Sequence, residues 1–372
     1  MTFFPIRIQF FFFIALPLFF ISQSSHASEE HSKRIIDDSQ KAGEALEKKG
    51  NWIAVPIPIS NPTIGTGLQG ALIYLHPREG EDVPNITSGL VGMYTNTDSW
   101  FLGAFHDDNF VNDKYRLRIF GGYGRFVLDF FGVGDITSDS SIEYDFEGSI
   151  LDSKFLVRLP FTENWYGGLQ YQIVDTEVIF RIPSFPNIPE GRGNITIGAL
   201  GIPLSYDSRN DNYYPTRGQY AEIRYLNYDK TWGSDFDYNK VKSFYNLYVP
   251  LQEKLVLAAR ARLENTGDNA PFFDLSTLDM RGFSRFRYLN DHSFSIHGEI
   301  RYKFLPRWGV VGFYETGWIN DDFSRITSGT HITSYGGGIR WQVTSDKKLN
   351  LSVDFAESTD DQAIYIRVGE KF

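Results

Sequence analysis

The chain has 372 residues, a formal net charge of −10, 32 Phe, 21 Tyr, 34 Gly and no Cys. Without Cys there can be no disulfide, thiolate metal site or lipid-modified cysteine, and the acidic balance argues against nucleic acid, whose phosphates need a basic face. Aromatic and glycine enrichment fits strands joined by tight turns rather than helices or disorder.

The N-terminus carries Arg7, an apolar run from Ile8 to Ile21, and then Ser25-His26-Ala27. This predicts a secretory signal peptide over residues 1–27, cleaved after Ala27, because a run of about 14 apolar residues is too short to span a bilayer. Residues 28–50 become charged and lose aromatics, with Ile35, Ser39, Ala42 and Leu46 at helical spacing. Such a short periplasmic or lumenal segment reads as a narrow-striped helix or a solvated leader, and it is too small for a folded periplasmic receptor domain.

From residue 51 to 372 the pattern is strand, turn, strand. Candidate strands fall at 51–59, 65–76, 86–95, 98–107, 113–124, 141–159, 163–181, 194–207, 218–230, 236–250, 253–265, 293–304, 308–318, 332–343, 347–356 and 362–372. Several alternate strictly. Phe294, Ile296, Gly298, Ile300, Tyr302 and Phe304 share one side, while Ser293, Ser295, His297, Glu299, Arg301 and Lys303 share the other. Period two with one greasy and one charged face predicts a wall between lipid and a polar interior. The fold class is therefore all-β, a 16-stranded antiparallel transmembrane β-barrel with both termini on the periplasmic side. Trp308 and Trp318 lie on one face ten residues apart, which is roughly 25 Å of height at the usual tilt and predicts two aromatic belts. The connection 266–292 is too long for an ordinary turn and reads as a functional sixth extracellular loop.

Four motifs carry a family resemblance. Met280-Arg281-Gly282-Phe283 in the long loop is one, and Asp207-x-Arg209 through Pro215-x-x-Gly218 between the eighth and ninth strands is another. The others are Gly312-Phe313-Tyr314-Glu315-Thr316-Gly317 and a last strand with Ile364, Ile366, Val368, Gly369 and Phe372. Their order and spacing resemble the BamA/TamA-like outer-membrane assembly superfamily, also called the bacterial surface antigen family. The resemblance implies that the loop folds into the lumen with Arg281 docked on the wall, where the inward positions offer Glu299 and Glu315. Glu315 stands where the family usually has Asp, so Glu299 is expected to be the main partner. It implies that the Asp207/Arg209/Pro215/Gly218 segment is a periplasmic turn, and that the last strand is a C-terminal insertion signal whose final aromatic continues the outward alternation. It also implies a role in inserting proteins into the outer membrane or secreting them across it. The expected partners are outer-membrane lipids, the barrel assembly machinery for its own insertion, and a separate periplasmic subunit or client protein, with no nucleic acid and no cofactor.

Two other functions compete with that one. No nucleophile elbow, metal-ligand spacing or phosphate loop appears, so neither a catalytic residue nor a metal site is expected. A passive or gated diffusion pore is the serious alternative, since sixteen strands leave room for solutes and inward charges could set selectivity.

Overall fold

The computed structural model describes residues 51–76, 86–134, 140–181, 192–211, 214–342, 350–359 and 361–372. The expected segments 1–27 and 28–50 lie outside them. Among the described residues eighteen strands form: β1 (Asn51–Asn61), β2 (Gly65–Leu75), β3 (Thr87–Thr95), β4 (Trp100–Phe110), β5 (Tyr115–Phe130), β6 (Ile142–Arg158), β7 (Trp165–Phe180), β8 (Arg192–Asp207) and β9 (Gly218–Tyr228). They continue with β10 (Tyr238–Gln252), β11 (Leu255–Thr266), the two-residue β12 (Ser276–Thr277) and β13 (Leu289–Asn290), then β14 (His292–Tyr302), β15 (Trp308–Asn320), β16 (Thr330–Gln342), β17 (Asn350–Ser358) and β18 (Gln362–Val368). All except β12 and β13 join one 16-stranded sheet in chain order, each antiparallel to the next. β12 and β13 pair with each other inside the long loop.

The sheet curls so that β1 and β18 lie alongside one another. Among the described residues no hydrogen-bonded register joins them, and the barrel is nearly closed. All sixteen expected wall strands are present. The largest shifts are at β5, which runs on to Phe130 where residue 124 was expected, and at the last strand, which stops at Val368 instead of Phe372. Gly369 explains the second: its φ of +93° lies in the left-handed region that glycine adopts without a Cβ clash, and the chain turns away there.

The two faces of the wall divide as period two requires. Leu68, Leu90, Leu102, Ile202, Ile223, Tyr314 and Ile339 are exposed, an apolar outer surface that is costly in water and favourable in hydrocarbon. Aromatic pairs rim both ends. Trp52 with Tyr74, Trp165 with Tyr206 and Trp308 with Trp341 sit at one, and Trp100 with Tyr123 and Phe294 with Trp318 at the other. The expected positions of Trp308 and Trp318 fit these two belts.

The opposite face is buried and charged. Glu222, Lys240, Arg260, Glu264, Glu299, Arg301, Glu315, Arg340 and Asp354 all project from it and are covered. Buried charges demand partners, and the inner face is built from ion pairs, including one between Lys154 of β6 and Glu222 of β9 at 2.7 Å. Near the end of the barrel that carries Trp100 the inner face is aromatic instead. Phe272 of the long loop packs edge-on against Phe130 and Tyr144, with ring centroids 4.9 and 5.3 Å away, and is tilted against Phe180 at 5.5 Å.

Candidate functional site

The site is built where the long loop meets the buried face of β14, β15 and β17. Arg281 has none of its side chain exposed. Its Nε donates to Glu315 Oε1 at 2.8 Å, one terminal nitrogen donates to Glu299 Oε1 at 2.7 Å, and the other donates to Asp354 Oδ2 at 2.9 Å. Its backbone N–H donates to the second oxygen of Glu315. The Phe313 ring lies 3.4 Å from the guanidinium carbon, so the planar cation is stacked on one face and hydrogen-bonded around its edge. Burial works against the charge, but Glu315, Glu299 and Asp354 outweigh it and raise the Arg281 pKa.

The strand registers explain why three carboxylates converge. Glu299 opposes Phe313 across the β14–β15 ladder, and His297 opposes Glu315, so the two acids are on one face one step apart along the hairpin. Asp354 of β17 opposes Gly338 of β16, and glycine leaves room for its carboxylate to extend over the wall. Each acid is shared. Glu299 also accepts from Arg301 at 2.9 Å, Asp354 accepts from Arg340 and Arg367, and Glu315 is reached by Ser334 and lies 3.2 Å from His297 Nδ1.

Gly282 and Phe283 complete the loop motif. Gly282 has a φ of +104°, and a Cβ there would sit 2.9 Å from Ser358 Cβ, so the close approach and the left-handed backbone both require glycine. Its N–H donates to the Tyr365 hydroxyl of β18, and its carbonyl accepts from Ser358 of β17 at 2.9 Å. Phe283 is buried edge-on against Tyr288, in a cluster with Leu278, Met280, Ile319 and Ile332.

Two expectations change. Glu315, not Glu299, is the fuller partner of Arg281: it takes both Nε and the backbone N–H, whereas Glu299 divides its oxygens between Arg281 and Arg301. The longer side chain compared with Asp evidently reaches. Phe372, in turn, does not continue the outward alternation. Ile364 and Ile366 are half-buried on the outer parity of β18, but beyond Gly369 the chain bends inward and Phe372 is buried beside Tyr248 and Ala258. There its carbonyl accepts from Arg301 at 2.8 Å, Lys371 pairs with Asp279 of the loop, and Glu370 accepts from Arg340 at 2.7 Å. Period-two alternation persists only while the strand does, and one glycine ended it.

The third carboxylate, Asp354, was not among the expected partners, because it comes from a strand remote from the hairpin that follows the loop. Its inward parity on the candidate strand 347–356 was the available signal.

The turn motif is a self-contained knot. Arg209 makes a bidentate pair with Asp207, both bonds at 2.8 Å, and its guanidinium lies 4.0 Å from the Tyr220 ring centroid. Burial opposes the Arg209 charge, yet the Asp207 bonds raise its pKa. Gly218 has a φ of +106° and packs against the Ser208 carbonyl, where a Cβ would come within 2.2 Å. Pro215 is buried beside it, and Asn210 accepts from the backbone N–H groups of Thr216 and Arg217. Tyr214 of the turn lies within electrostatic reach of Glu370, Arg301, Arg340 and Glu299, the charged groups around the Arg281 anchor.

Comparison with known proteins is consistent with this architecture. The fold is similar to that of BamA from Haemophilus ducreyi lacking POTRA domains 1–3, at 18% identity and a TM-score of 0.56, covering 86% of this chain and 69% of that one. It is also similar to CdiB from Escherichia coli, at 11% identity and a TM-score of 0.62, covering 85% of this chain and 61% of that one. CdiB from Acinetobacter baumannii aligns at 11% identity and a TM-score of 0.56, covering 86% of this chain and 59% of that one. This chain therefore spans about three-fifths of the CdiB chains it resembles. No curated protein matches it in sequence. The family model described as the Omp85 superfamily domain matches residues 91–372, and the chain belongs to the Omp85 superfamily.

Proposed function

We propose that this outer-membrane barrel handles polypeptides, inserting them into the membrane or passing them across it, and that its long loop is a lumen-docked closure held by Arg281. The observation that carries the reading is Arg281 itself. A guanidinium with no exposed side chain, three carboxylates and an aromatic ring around it is costly to assemble and strongly destabilising to break. A connecting loop has no need of such an anchor. The aromatic contacts of Phe272 with Phe130, Tyr144 and Phe180 support the same reading, because a dry cluster across the interior does not suit a standing aqueous pore. The client binds from the periplasmic side, presented by a separate subunit or directly, and displaces the loop to open the path. A diffusion pore remains the second reading, and conductance separates the two.

A disulfide trap tests the docked loop. Ser284, immediately beyond the motif, has its hydroxyl 3.4 Å from that of Thr63 in the β1–β2 turn. The chain has no native Cys, so Ser284→Cys with Thr63→Cys forms a single defined crosslink if the loop is seated. The pair is expected to crosslink readily in the intact barrel and to lose the crosslink when Arg281→Ala is added. Absence of the crosslink in the otherwise native chain, with a steady open conductance, refutes the closure and leaves the pore.

A further inference from the structure

The inner face of β10 and β11, with the loop residues over it, carries more positive charge than its acids can pair. Three acids lie there, and each is claimed: Asp274 by Lys240 at 3.0 Å, Glu264 by Arg262, and Asp279 by Lys371. Three further cations, Lys242, Arg260 and Arg285, belong to the same electrostatic neighbourhood. None of these has a carboxylate within ion-pair distance among the described residues.

Their placement follows from the registers. Lys242 opposes Glu264 and Asn246 opposes Arg260 across the β10–β11 ladder, so Lys242 and Arg260 stand two steps apart on one face. Arg260 is only 6% exposed, and its Nε has no hydrogen-bond partner among the described residues. It leans on the Phe244 and Phe372 rings, with centroids 5.0 and 5.9 Å away. Arg285 comes from the loop, with its backbone N–H bonded to Thr63, and its Nε and one terminal nitrogen are buried without partners. Burial first, and then the neighbouring Arg262, depress the pKa of Arg285, as befits a cation short of counter-charge.

From these residues we infer an anion site: the inner face of β10 and β11 beneath the loop binds a compact oxyanion of two or more charges, of the phosphoryl class, through Arg260, Arg285 and Lys242. Two guanidinium forks supply paired donors suited to phosphoryl oxygens, and the lysine adds a point charge. A dianion or trianion matches the three cations left over after the internal pairs are drawn. The site rests on the loop being docked, since Arg285 is its third member.

Isothermal titration of the full chain, refolded in detergent, with inorganic pyrophosphate at low ionic strength tests the site. Saturable binding at one site per barrel is expected, weakening as salt is raised. Arg260→Gln and Lys242→Gln, which remove the charge but keep a polar side chain, are each expected to weaken it roughly tenfold. Lys114→Gln, on an exposed turn, should leave it unchanged. Heat-modifiable mobility on gels confirms that each variant is a folded barrel. Short-chain phosphatidate is added in competition: displacement below the pyrophosphate concentration assigns the phosphoryl group to a lipid, and failure to displace assigns it to a soluble solute. The Ser284–Thr63 crosslink is measured on the same preparation. A chain that crosslinks yet shows no saturable pyrophosphate binding, or binds equally well as the Lys242→Gln/Arg260→Gln double variant, overturns the anion site while leaving the docked loop standing. A chain that does not crosslink overturns both.

Discussion

Arg281→Ala separates the contributions at the loop anchor. Deleting the guanidinium does not strand all three carboxylates equally. Glu299 keeps Arg301 and Asp354 keeps Arg340 and Arg367, so the uncompensated charge falls mainly on Glu315, which retains His297, Ser334 and a backbone N–H. Breaking one partner from a buried pair costs about 3–5 kcal/mol, and with two of three acids still paired the lower end, about 3 kcal/mol, is appropriate. That shifts the docking equilibrium of the loop roughly a hundredfold. The assay is limited proteolysis from the outer face of whole cells, following cleavage within residues 266–292. Because the cost falls on docking and not on the wall ladders, heat-modifiable mobility should be unchanged while cleavage accelerates by about that factor, in the limit where opening precedes cutting. Protection within twofold of the native chain, with the barrel intact, refutes the anchor.

Glu315→Gln should release the loop more than Glu299→Gln, because Glu315 holds both the side chain and the backbone of Arg281; equal effects, or the reverse order, in the same proteolysis assay count against that assignment. Gly282→Ala is expected to cost about 1–3 kcal/mol of docking through its left-handed backbone and the contact at Ser358, measured by loss of the Ser284–Thr63 crosslink. Phe372→Ala empties a buried site beside Tyr248 and should lower barrel stability by about 3 kcal/mol, read as an earlier urea midpoint of the folded band on gels. Cell fractionation should find a mature chain beginning at Ser28 in the outer membrane, and recovery from the soluble periplasm contradicts the reading.

The wall was legible because alternation is a local code. Each strand states its two faces in its own residues, and the curled, nearly closed sheet then follows from the number of strands and the short connections between them. That Arg281 docks on Glu299 or Glu315 was implied by the family resemblance together with one hairpin carrying both inward acids, but residue type alone put the weight on Glu299. Asp354 could not be paired with them so easily: its partnership depends on the curvature that brings β17 near β14 across the interior, and no spacing in the sequence encodes that approach. The inward tail failed for another reason. Apolar alternation up to Val368 and an aromatic at 372 look continuous on paper, but a single glycine at 369 decides which side of the wall the last residues occupy.

The loop motif touches the last two strands as well as the middle of the sheet: Asp354 and Ser358 in β17 and Tyr365 in β18 all bond to Arg281 or Gly282. These partners lie 73, 76 and 83 residues away in sequence, so the contacts cannot form until the final hairpin has arrived. Contacts of such separation repay their closure entropy late in folding. The free energy of seating the loop and that of holding β17 and β18 in place are thus one linked quantity, and by reciprocity whatever loosens the final hairpin loosens the loop by the same factor. In kinetic terms, seating of the loop is a completion signal: it can be reached only by a chain whose last strands are already in position.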